Sequence, residues 1–298
     1  FSTYMRGYDD YRVVVGQPLG LVYGFVCDGF YTVDDFQTTT DENGKTQFVF
    51  DKSGNYILKE GVVDGSFITA GSKAGLRPGA MKVRDLDGDK KISESDRTII
   101  GKTQPKFQGG FGLNATYKWF DLTANFNFVV GNDVYNLDKM VTSQSYRNTY
   151  ASLRQEMTPV TLGGKAWTYM DQATGEIVTD YETLKNMNAN ASIWSAATLS
   201  DNNPVPSSWA VEDGSFLRLQ NLTVGFTFPK EWTKKFACNS LRMYCTLTNL
   251  FCLTNYSGYD PEVNSSIRGS KTSGLTPGAD FSSYPKSFSW TAGVNISF

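Results

Sequence analysis

The acidic run DLDGDKKISESD at 85–96 is the part of the chain whose residue types and spacing could do chemistry. Its four aspartates fall on positions 1, 3, 5 and 12 of an EF-hand-type loop, and the Lys91 backbone carbonyl falls on position 7. Hard carboxylate and carbonyl oxygens are the ligands that Ca²⁺ prefers. The predicted metal ligands are Asp85, Asp87, Asp89, the Lys91 carbonyl and Asp96. We therefore predict a structural Ca²⁺ site in this loop.

Two positions of the loop depart from the EF-hand pattern. Lys90 stands at position 6, where glycine normally permits a sharp turn, and Asp96 replaces the bidentate glutamate of position 12. Both changes should weaken Ca²⁺ binding. From the sequence alone, an acidic solvated turn without metal remains the alternative.

Composition excludes several other kinds of function. The 298 residues carry a formal charge of −2 and only 19% are charged, so no basic face is available for a nucleic-acid backbone. The chain contains no histidine, which removes Ser-His-Asp and Cys-His nucleophile systems and imidazole zinc sites. We therefore expect no enzymatic activity and no nucleic-acid partner.

The four cysteines show no CxxC pair. Cys245 and Cys252 are seven positions apart, so on one strand they would face opposite sides and could not form a disulfide with each other. We expect free thiols.

The clearest structural pattern is strict alternation in KSFSWTAGVNISF at 286–298. Period two over about a dozen residues predicts a strand with one apolar and one polar face. Aromatic residues near both ends of the apolar stripe favour lipid on that side, and small polar residues favour a water-filled lumen on the other. The apolar positions are Phe288, Trp290, Ala292, Val294, Ile296 and Phe298.

Alternation recurs in four earlier runs, each close to or above the roughly 9–11 residues that a tilted strand needs to cross a bilayer. No apolar run reaches the roughly 18 residues of a transmembrane helix. The predicted strands are about 106–118, 121–134, 214–228, 240–254 and 285–298. The fold class predicted is all-β: the C-terminal portion of a large antiparallel transmembrane β-barrel with long extracellular loops.

The connections between these strands are unequal in length. Those at 119–121 and 229–238 are short, whereas 135–212 and 256–283 are long and polar. Outer-membrane barrels alternate short periplasmic turns with long extracellular loops, so we place both long connections outside the cell. Residues 1–105 contain no equally clean spanning pair and are predicted to be an extracellular loop region. Because about five strands cannot close a membrane barrel, further strands are expected upstream.

Several segments resemble the SusC/RagA family of TonB-dependent outer-membrane transporters. The stretch KVRDLDGDKKISESDRTIIGKTQPKFQGGFG at 82–112 is similar to the family's entry into a late barrel strand, and VGQPLGLVYGFVCDGFY at 15–31 to an external segment. The blocks at 212–229, 241–264 and 284–298 resemble the family's C-terminal strands in order and spacing. The resemblance covers nearly the whole chain.

The resemblance implies a barrel of about 22 strands, located in the bacterial outer membrane and surrounded by its lipid. It also implies a SusD-like surface lipoprotein as lid, oligosaccharide or peptide substrates, and energy relayed by TonB. The family's plug and TonB-contacting segment lie in an N-terminal part that this sequence does not contain.

Aromatic residues of the long connection admit two interpretations. Trp167, Tyr169, Trp194 and Trp209 could stack on sugars, but such residues more often pack a long loop or a partner surface. The step Asp260-Pro261-Glu262 is interpreted as a turn with proline at its second position.

Two other functions remain open from the sequence. An autotransporter-like anchoring barrel would need evenly spaced strands, which the connection 135–212 interrupts. A soluble calcium-binding adhesion module would bury the apolar strand faces inside a sandwich.

Overall fold

The computed structural model describes residues 10–71, 75–144, 165–171, 173–195, 198–199, 205–263, 276–281 and 283–298. Parts of the predicted external region 1–105 and of the predicted loops 135–212 and 256–283 lie outside these described residues. Among the described residues, no helix is both long enough and apolar enough to span a membrane.

The described chain is built mainly of strands with three short helices. The strands are β1 (Tyr11–Arg12), β2 (Leu21–Gly24), β3 (Cys27–Phe30), β4 (Thr38–Thr40), β5 (Thr46–Phe48), β6 (Met81–Val83), β7 (Thr98–Lys102), β8 (Phe107–Tyr117), β9 (Phe120–Val130), β10 (Asp133–Asn136), β11 (Val211–Asp213), β12 (Phe216–Thr227), β13 (Ser240–Thr254), β14 (Ala279–Asp280) and β15 (Ser289–Ser297). The helices are α1 (Leu137–Gln144), α2 (Tyr181–Met187) and α3 (Lys230–Thr233).

The long strands form one antiparallel sheet in the order β15-β13-β12-β9-β8. These strands occupy the five alternating runs of the sequence. Tyr117 already pairs with Phe120, so the first tight turn consists of Lys118 and Trp119, one residue earlier than predicted. Lys118 adopts a positive φ of 54°, the left-handed conformation that two-residue hairpins require.

Registration of the strands gives the sheet one apolar and one polar face. One row across it is apolar, running through Ala115, Leu122, Val224, Cys245 and Ala292. The next row runs through Thr116, Asp121, Gly225, Tyr244 and Gly293. Because side chains alternate between faces along every strand, these matched registers keep one face apolar and the other mainly polar. A register shift between Leu219 and Asn221 interrupts the ladder, and beyond it Val129 and Phe216 lie on the polar face.

The apolar face is open. Leu113 is 55% exposed, Trp290 68% and Ile296 52%. A soluble sandwich would have to bury such side chains under a second sheet, and in the described part of the chain they are uncovered. The outer strands β8 and β15 each have one unpaired edge within the described sheet.

The remaining elements form small sheets around separate apolar cores. Strands β1-β2-β7 and β11-β10-β14 make two three-stranded sheets, and β3-β6 and β4-β5 pair as two-stranded ones. Three groups of buried side chains hold these pieces together. The first, called core 1, comprises Phe25, Ile68, Met81, Val83, Ile92, Ile193, Trp194, Leu199 and Val205. The second comprises Tyr11, Val22, Tyr135, Leu137, Met140, Ala210 and Ala279, and the third Tyr31, Val33, Phe36, Phe48, Ala80, Trp167, Tyr181 and Leu184.

Candidate functional site

The acidic loop lies between β6 and β7 and contains two residues in the left-handed region. Gly88 has a φ of 82° and Lys90 a φ of 65°. Lys90 thus adopts the conformation that glycine normally supplies at this position, at a cost of about 1–2 kcal/mol for a residue with a Cβ. The departure from the EF-hand pattern at position 6 therefore does not prevent the sharp turn.

Three carboxylates meet in this loop. One oxygen from each of Asp85, Asp87 and Asp89 lies within 4.8 Å of the others. Asp85 Oδ1 accepts from Gly88 N at 2.7 Å, and its Oδ2 accepts from Lys90 N at 2.8 Å. Asp89 Oδ1 accepts from Lys91 N at 2.7 Å. Backbone N–H groups of the loop thus fix the positions of the Asp85 and Asp89 carboxylates.

The electrostatics of the loop differ between its carboxylates. The backbone N–H of Gly88, followed by that of Lys90, lowers the pKa of Asp85. The N–H of Asp89 has the same effect on Asp87, but desolvation and the charges of Asp89, Asp96 and Asp85 outweigh it, so the pKa of Asp87 is raised. The raised pKa of Asp87 thus reflects desolvation first and the neighbouring negative charges second.

The other two predicted ligands are placed differently. Asp96 is fully buried, and its oxygens accept from Leu86 N at 2.7 Å and Ser93 N at 2.8 Å. It therefore closes the loop through backbone bonds at both ends. The peptide groups around Lys91 bond to a neighbouring segment: Asp64 N donates to Lys90 O and Ile92 N donates to Asp64 O, both at 2.9 Å.

The loop is joined to the interior of the protein. Ile92, at the apolar position of the loop, is 4% exposed and belongs to core 1. Arg97 follows the loop and stacks its guanidinium over the ring of Tyr23 in β2, 4.7 Å from the centroid. Ile92 and Arg97 therefore connect residues 85–96 to core 1 and to the sheet that contains β2 and β7.

Two of the tryptophans considered for sugar stacking are interior residues. Trp194 is 1% exposed and its Nε1 donates to the Ser143 carbonyl at 3.0 Å. Trp167 is 5% exposed and stands against Gly79, where a Cβ would lie 2.3 Å from the ring. Neither ring has a face open to a ligand, so the sugar-stacking interpretation is wrong for both.

Trp209 and Tyr169 are also engaged with protein groups. Lys139 Nζ lies 4.2 Å from the centroid of the Trp209 ring, and Trp209 Nε1 donates to Ser143 Oγ at 3.2 Å. The hydroxyl of Tyr169 donates to the Pro78 carbonyl, and burial raises the pKa of this hydroxyl. These contacts are those of residues that pack against the rest of the folded chain.

The Asp260-Pro261-Glu262 step holds a buried ion pair that the sequence did not reveal. Arg218 of β12 and Asp260 are 5% and 7% exposed, and Arg218 Nη2 donates to Asp260 Oδ1 at 2.6 Å. Asp260 also accepts from the backbone N–H of Glu262 and of Lys286. The pair therefore joins β12 to the segment after β13 and to the approach to β15.

A second ion pair lies on the polar face of the sheet near its tight turns. Arg242 of β13 donates from Nε and Nη2 to the two oxygens of Asp121 in β9, at 3.0 and 2.6 Å. The bridge passes over Gly225 of the intervening strand, where a Cβ would lie 2.4 Å from Asp121 Oδ1. Glycine is required there because the ion pair occupies that space.

Comparison with known proteins gives relatives of one kind. No protein-family model matches the chain. It is 28% identical to TonB-dependent receptor P39 of Formosa agariphila over 295 residues, 97% of this chain and 26% of that receptor. It is 28% identical to TonB-dependent receptor P3 of the same organism over 258 residues, 81% of this chain and 23% of the receptor. TonB-dependent receptor SusC of Bacteroides thetaiotaomicron is 24% identical over 221 residues, 72% of this chain and 17% of SusC.

Solved structures agree on the fold. The structure of the RagAB peptide transporter superposes with a TM-score of 0.56 at 22% identity, covering 99% of this chain and 24% of that one. The RagAB peptide importer in its closed-closed state gives 0.54 at 20% identity, covering 99% and 25%. The chain thus spans about a quarter or less of the length of the relatives it matches. The resemblance to the C-terminal part of the SusC/RagA family, the all-β barrel-segment fold and the outer-membrane location are confirmed.

Proposed function

We propose that this chain supplies the C-terminal wall and part of the external surface of a TonB-dependent importer of glycans or peptides. The single observation that supports this most strongly is the sheet whose five strands share one uninterrupted apolar face and leave both outer edges unpaired. In a bilayer, unpaired edges must be completed by further strands, because backbone groups there cannot bond to water. The receptors that it resembles are about four times longer, which would provide them.

The partners follow from the same proposal. A SusD-like surface lipoprotein would cover the external part, a plug from the same protein would fill the lumen, and TonB would act through the plug. In this assignment the polar face of the sheet meets the plug and water, and the apolar face meets lipid. The names of the relatives denote receptors and a peptide transporter, which fits a role in uptake without catalysis.

We also propose that the acidic loop binds Ca²⁺ as a structural ion. Asp85, Asp87 and Asp89 would supply side-chain oxygens and Lys91 its carbonyl, with Asp96 closing the loop. External calcium near millimolar concentration would fill even an extracellular-type site with a dissociation constant on the order of 10⁻⁴–10⁻³ M.

The proposed function is tested on the full-length protein in its own outer membrane. We expect it to stay with the membrane after alkaline washing, to leave only with detergent, and to co-purify with a surface lipoprotein. Deleting its gene should abolish growth on one class of glycan or peptide, and removing TonB should have the same effect. Release without detergent would contradict the barrel, and normal growth on every glycan and peptide tested would contradict the importer.

The alternatives are less well supported. An autotransporter-like anchor requires evenly spaced strands, whereas β9 and β12 are separated by 131–215, which contains its own helices and buried side chains. A soluble adhesion module requires the apolar face to be covered, and the described residues leave it open.

A further inference from the structure

The end of the sheet that carries the tight turns has an unusual concentration of positive charge. Lys118 lies in the β8–β9 turn, and Lys230, Lys234 and Lys235 lie in the β12–β13 turn. All four are exposed, and the two turns contain a single acidic residue, Glu231. Among the described residues, none of these lysines forms an ion pair with a carboxylate. We call this set of four lysines the turn lysines.

The two turns are physically joined. Thr227 N, at the end of β12, donates to the Trp119 carbonyl of the neighbouring turn at 2.8 Å. In the second turn, helix α3 continues directly into a 3-10 segment at Lys234–Phe236. The turn lysines therefore lie on one connected end of the sheet rather than on separate flexible loops.

A chain of aromatic rings runs along the same end on the apolar side. The Phe120 and Phe226 centroids are 4.8 Å apart, those of Phe226 and Phe228 4.9 Å, and those of Phe228 and Trp232 6.3 Å. Trp232 is 52% exposed and Phe120 53%, so the rings present surface outward. Aromatic rings in this position, at the edge of an apolar band, are typical of the boundary between hydrocarbon and headgroups, and Trp232 adds an amphipathic indole.

At the opposite end of the sheet, two basic side chains are paired with carboxylates. There Arg218 is paired with Asp260 and buried, and Lys286 pairs with Glu262. The turn lysines, which form no ion pair among the described residues, thus lie at the end where the apolar face finishes in aromatic rings. Lysine stems that extend past such a ring belt carry their ammonium groups to the depth of lipid phosphates.

We propose that the turn lysines and the aromatic belt form a binding surface for anionic phospholipid headgroups of the periplasmic leaflet. The rings would occupy the acyl–headgroup boundary and the ammonium groups would contact phosphate oxygens. Charge complementarity selects anionic over zwitterionic lipid, because only the former leaves net negative charge to pair with four lysines. This inference rests on the proposed barrel, which places the tight turns on the periplasmic side.

The test uses full-length protein purified in detergent and native mass spectrometry with phosphatidylglycerol or phosphatidylcholine of identical acyl chains. We expect the wild type to retain phosphatidylglycerol preferentially. K230Q/K234Q/K235Q should reduce that preference by roughly a hundredfold, because each lysine near an anionic surface contributes about 1 kcal/mol. K230R/K234R/K235R keeps the charges and should keep the preference.

The matched control is K52Q/K59Q/K102Q, which removes the same number of exposed lysines from elsewhere and should bind as the wild type does. Equal preference in the glutamine variant of the turn lysines and the wild type would overturn the inference. If that variant does not assemble, a salt series on the wild type decides: a preference that does not fall between roughly 0.1 and 1 M salt is not electrostatic and overturns it. If the protein leaves the membrane without detergent, the proposed barrel is wrong as well. If the barrel stays in the membrane and the glutamine variant keeps the wild-type lipid selectivity, only this inference is wrong.

Discussion

Asp87 and Asp85 lie in the same acidic loop, but their surroundings shift their pKa values in opposite directions. The pKa of Asp87 is raised, because desolvation and the charges of Asp89, Asp96 and Asp85 outweigh the hydrogen bond from the Asp89 N–H. Asp85, in contrast, is held by two backbone donors that lower its pKa. A bound Ca²⁺ would favour the ionised form of both, so binding should release protons and weaken as the pH falls.

We predict that Ca²⁺ protects 85–96 from hydrogen exchange in the full-length protein, relative to chelator. Asp87→Asn should weaken this protection by removing one charged ligand, raising the calcium concentration needed by about tenfold. Asp51→Asn is the control, because Asp51 closes an exposed turn of similar composition through Ser53 N and Asn55 N. Exchange that is identical with calcium and with chelator would show that the loop is only a solvated turn.

Arg218 and Asp260 form a buried ion pair that joins β12 to the segment after β13. Both are almost fully buried, so removing one partner leaves an uncompensated charge, at a cost of about 3–5 kcal/mol. We predict that Asp260→Asn lowers the temperature at which the full-length barrel unfolds on electrophoresis. Glu262→Gln is the matched comparison, because Glu262 is 40% exposed and lies 3.6 Å from Arg218 Nε, and it should have a much smaller effect. Equal shifts would mean that burial does not set the strength of the pair.

At the scale of elements, the long strands determine what each face can contact. Hydroxyl and amide groups bond across strands on the polar face, as between Thr123 Oγ1 and Asn114 Oδ1 at 2.9 Å and between the Thr223 and Thr246 hydroxyls at 2.8 Å. The ring of Tyr244 covers Gly293 of the adjacent strand, where a Cβ would lie 2.4 Å from the ring. The polar face is thus ordered by its own contacts while the apolar face remains available to lipid.

We predict opposite labelling of alternate positions in β15. On a background without native cysteines, cysteine at Thr291 or Asn295 should react with a water-soluble thiol reagent through the lumen. Cysteine at Val294 or Ile296 should react slowly, because it would lie in hydrocarbon. The rates are measured on intact outer membranes. Faster labelling at Val294 and Ile296 would reverse the assignment of the two faces.

At the scale of the whole molecule, a two-faced sheet is joined to segments with their own apolar cores. The proposed function places these segments outside the cell, and we call them the external part. Core 1 combines residues from distant parts of the chain, among them Phe25, Met81, Ile92 and Trp194. The acidic loop enters this core through Ile92, and α1 is tied to it by the bond from Trp194 to Ser143. Among the described residues, core 1 is thus built from side chains that lie outside the five-stranded sheet.

We predict that Trp194→Ala destabilises the external part and leaves membrane insertion intact. Removing this buried ring should cost about 3–5 kcal/mol through lost burial and the cavity left behind. Protease cutting in 165–195 should rise sharply, while the amount of protein in the outer membrane stays near wild type. Ile177→Ala is the control, because Ile177 is 68% exposed. Loss of the protein from the membrane would show that the two parts do not fold independently.

The sequence by itself determined the strands and their faces. Alternation with period two is a local property, so β15 and the pairs β8-β9 and β12-β13 could be located to within a few residues, and the polarity of each face followed from the same pattern. The spacing of Asp85, Asp87 and Asp89 likewise predicted that their carboxylates would meet, because all three lie in one short loop. Whether they hold Ca²⁺ stays a prediction.

Only the tertiary structure decided which residues pair over long distances. Trp194 could have faced a ligand or a core, and its burial depends on Met81 and Ile92, about a hundred residues earlier in the chain. Arg218 meets Asp260 across 42 positions, so what had been interpreted as a simple turn at Asp260 is the acceptor of a buried ion pair. The left-handed backbone conformation of Lys90 and the position of the turn lysines at one end of the sheet also follow from the assembled fold. Side-chain burial and charge pairing depend on which segments meet, and local alternation carries no information about that.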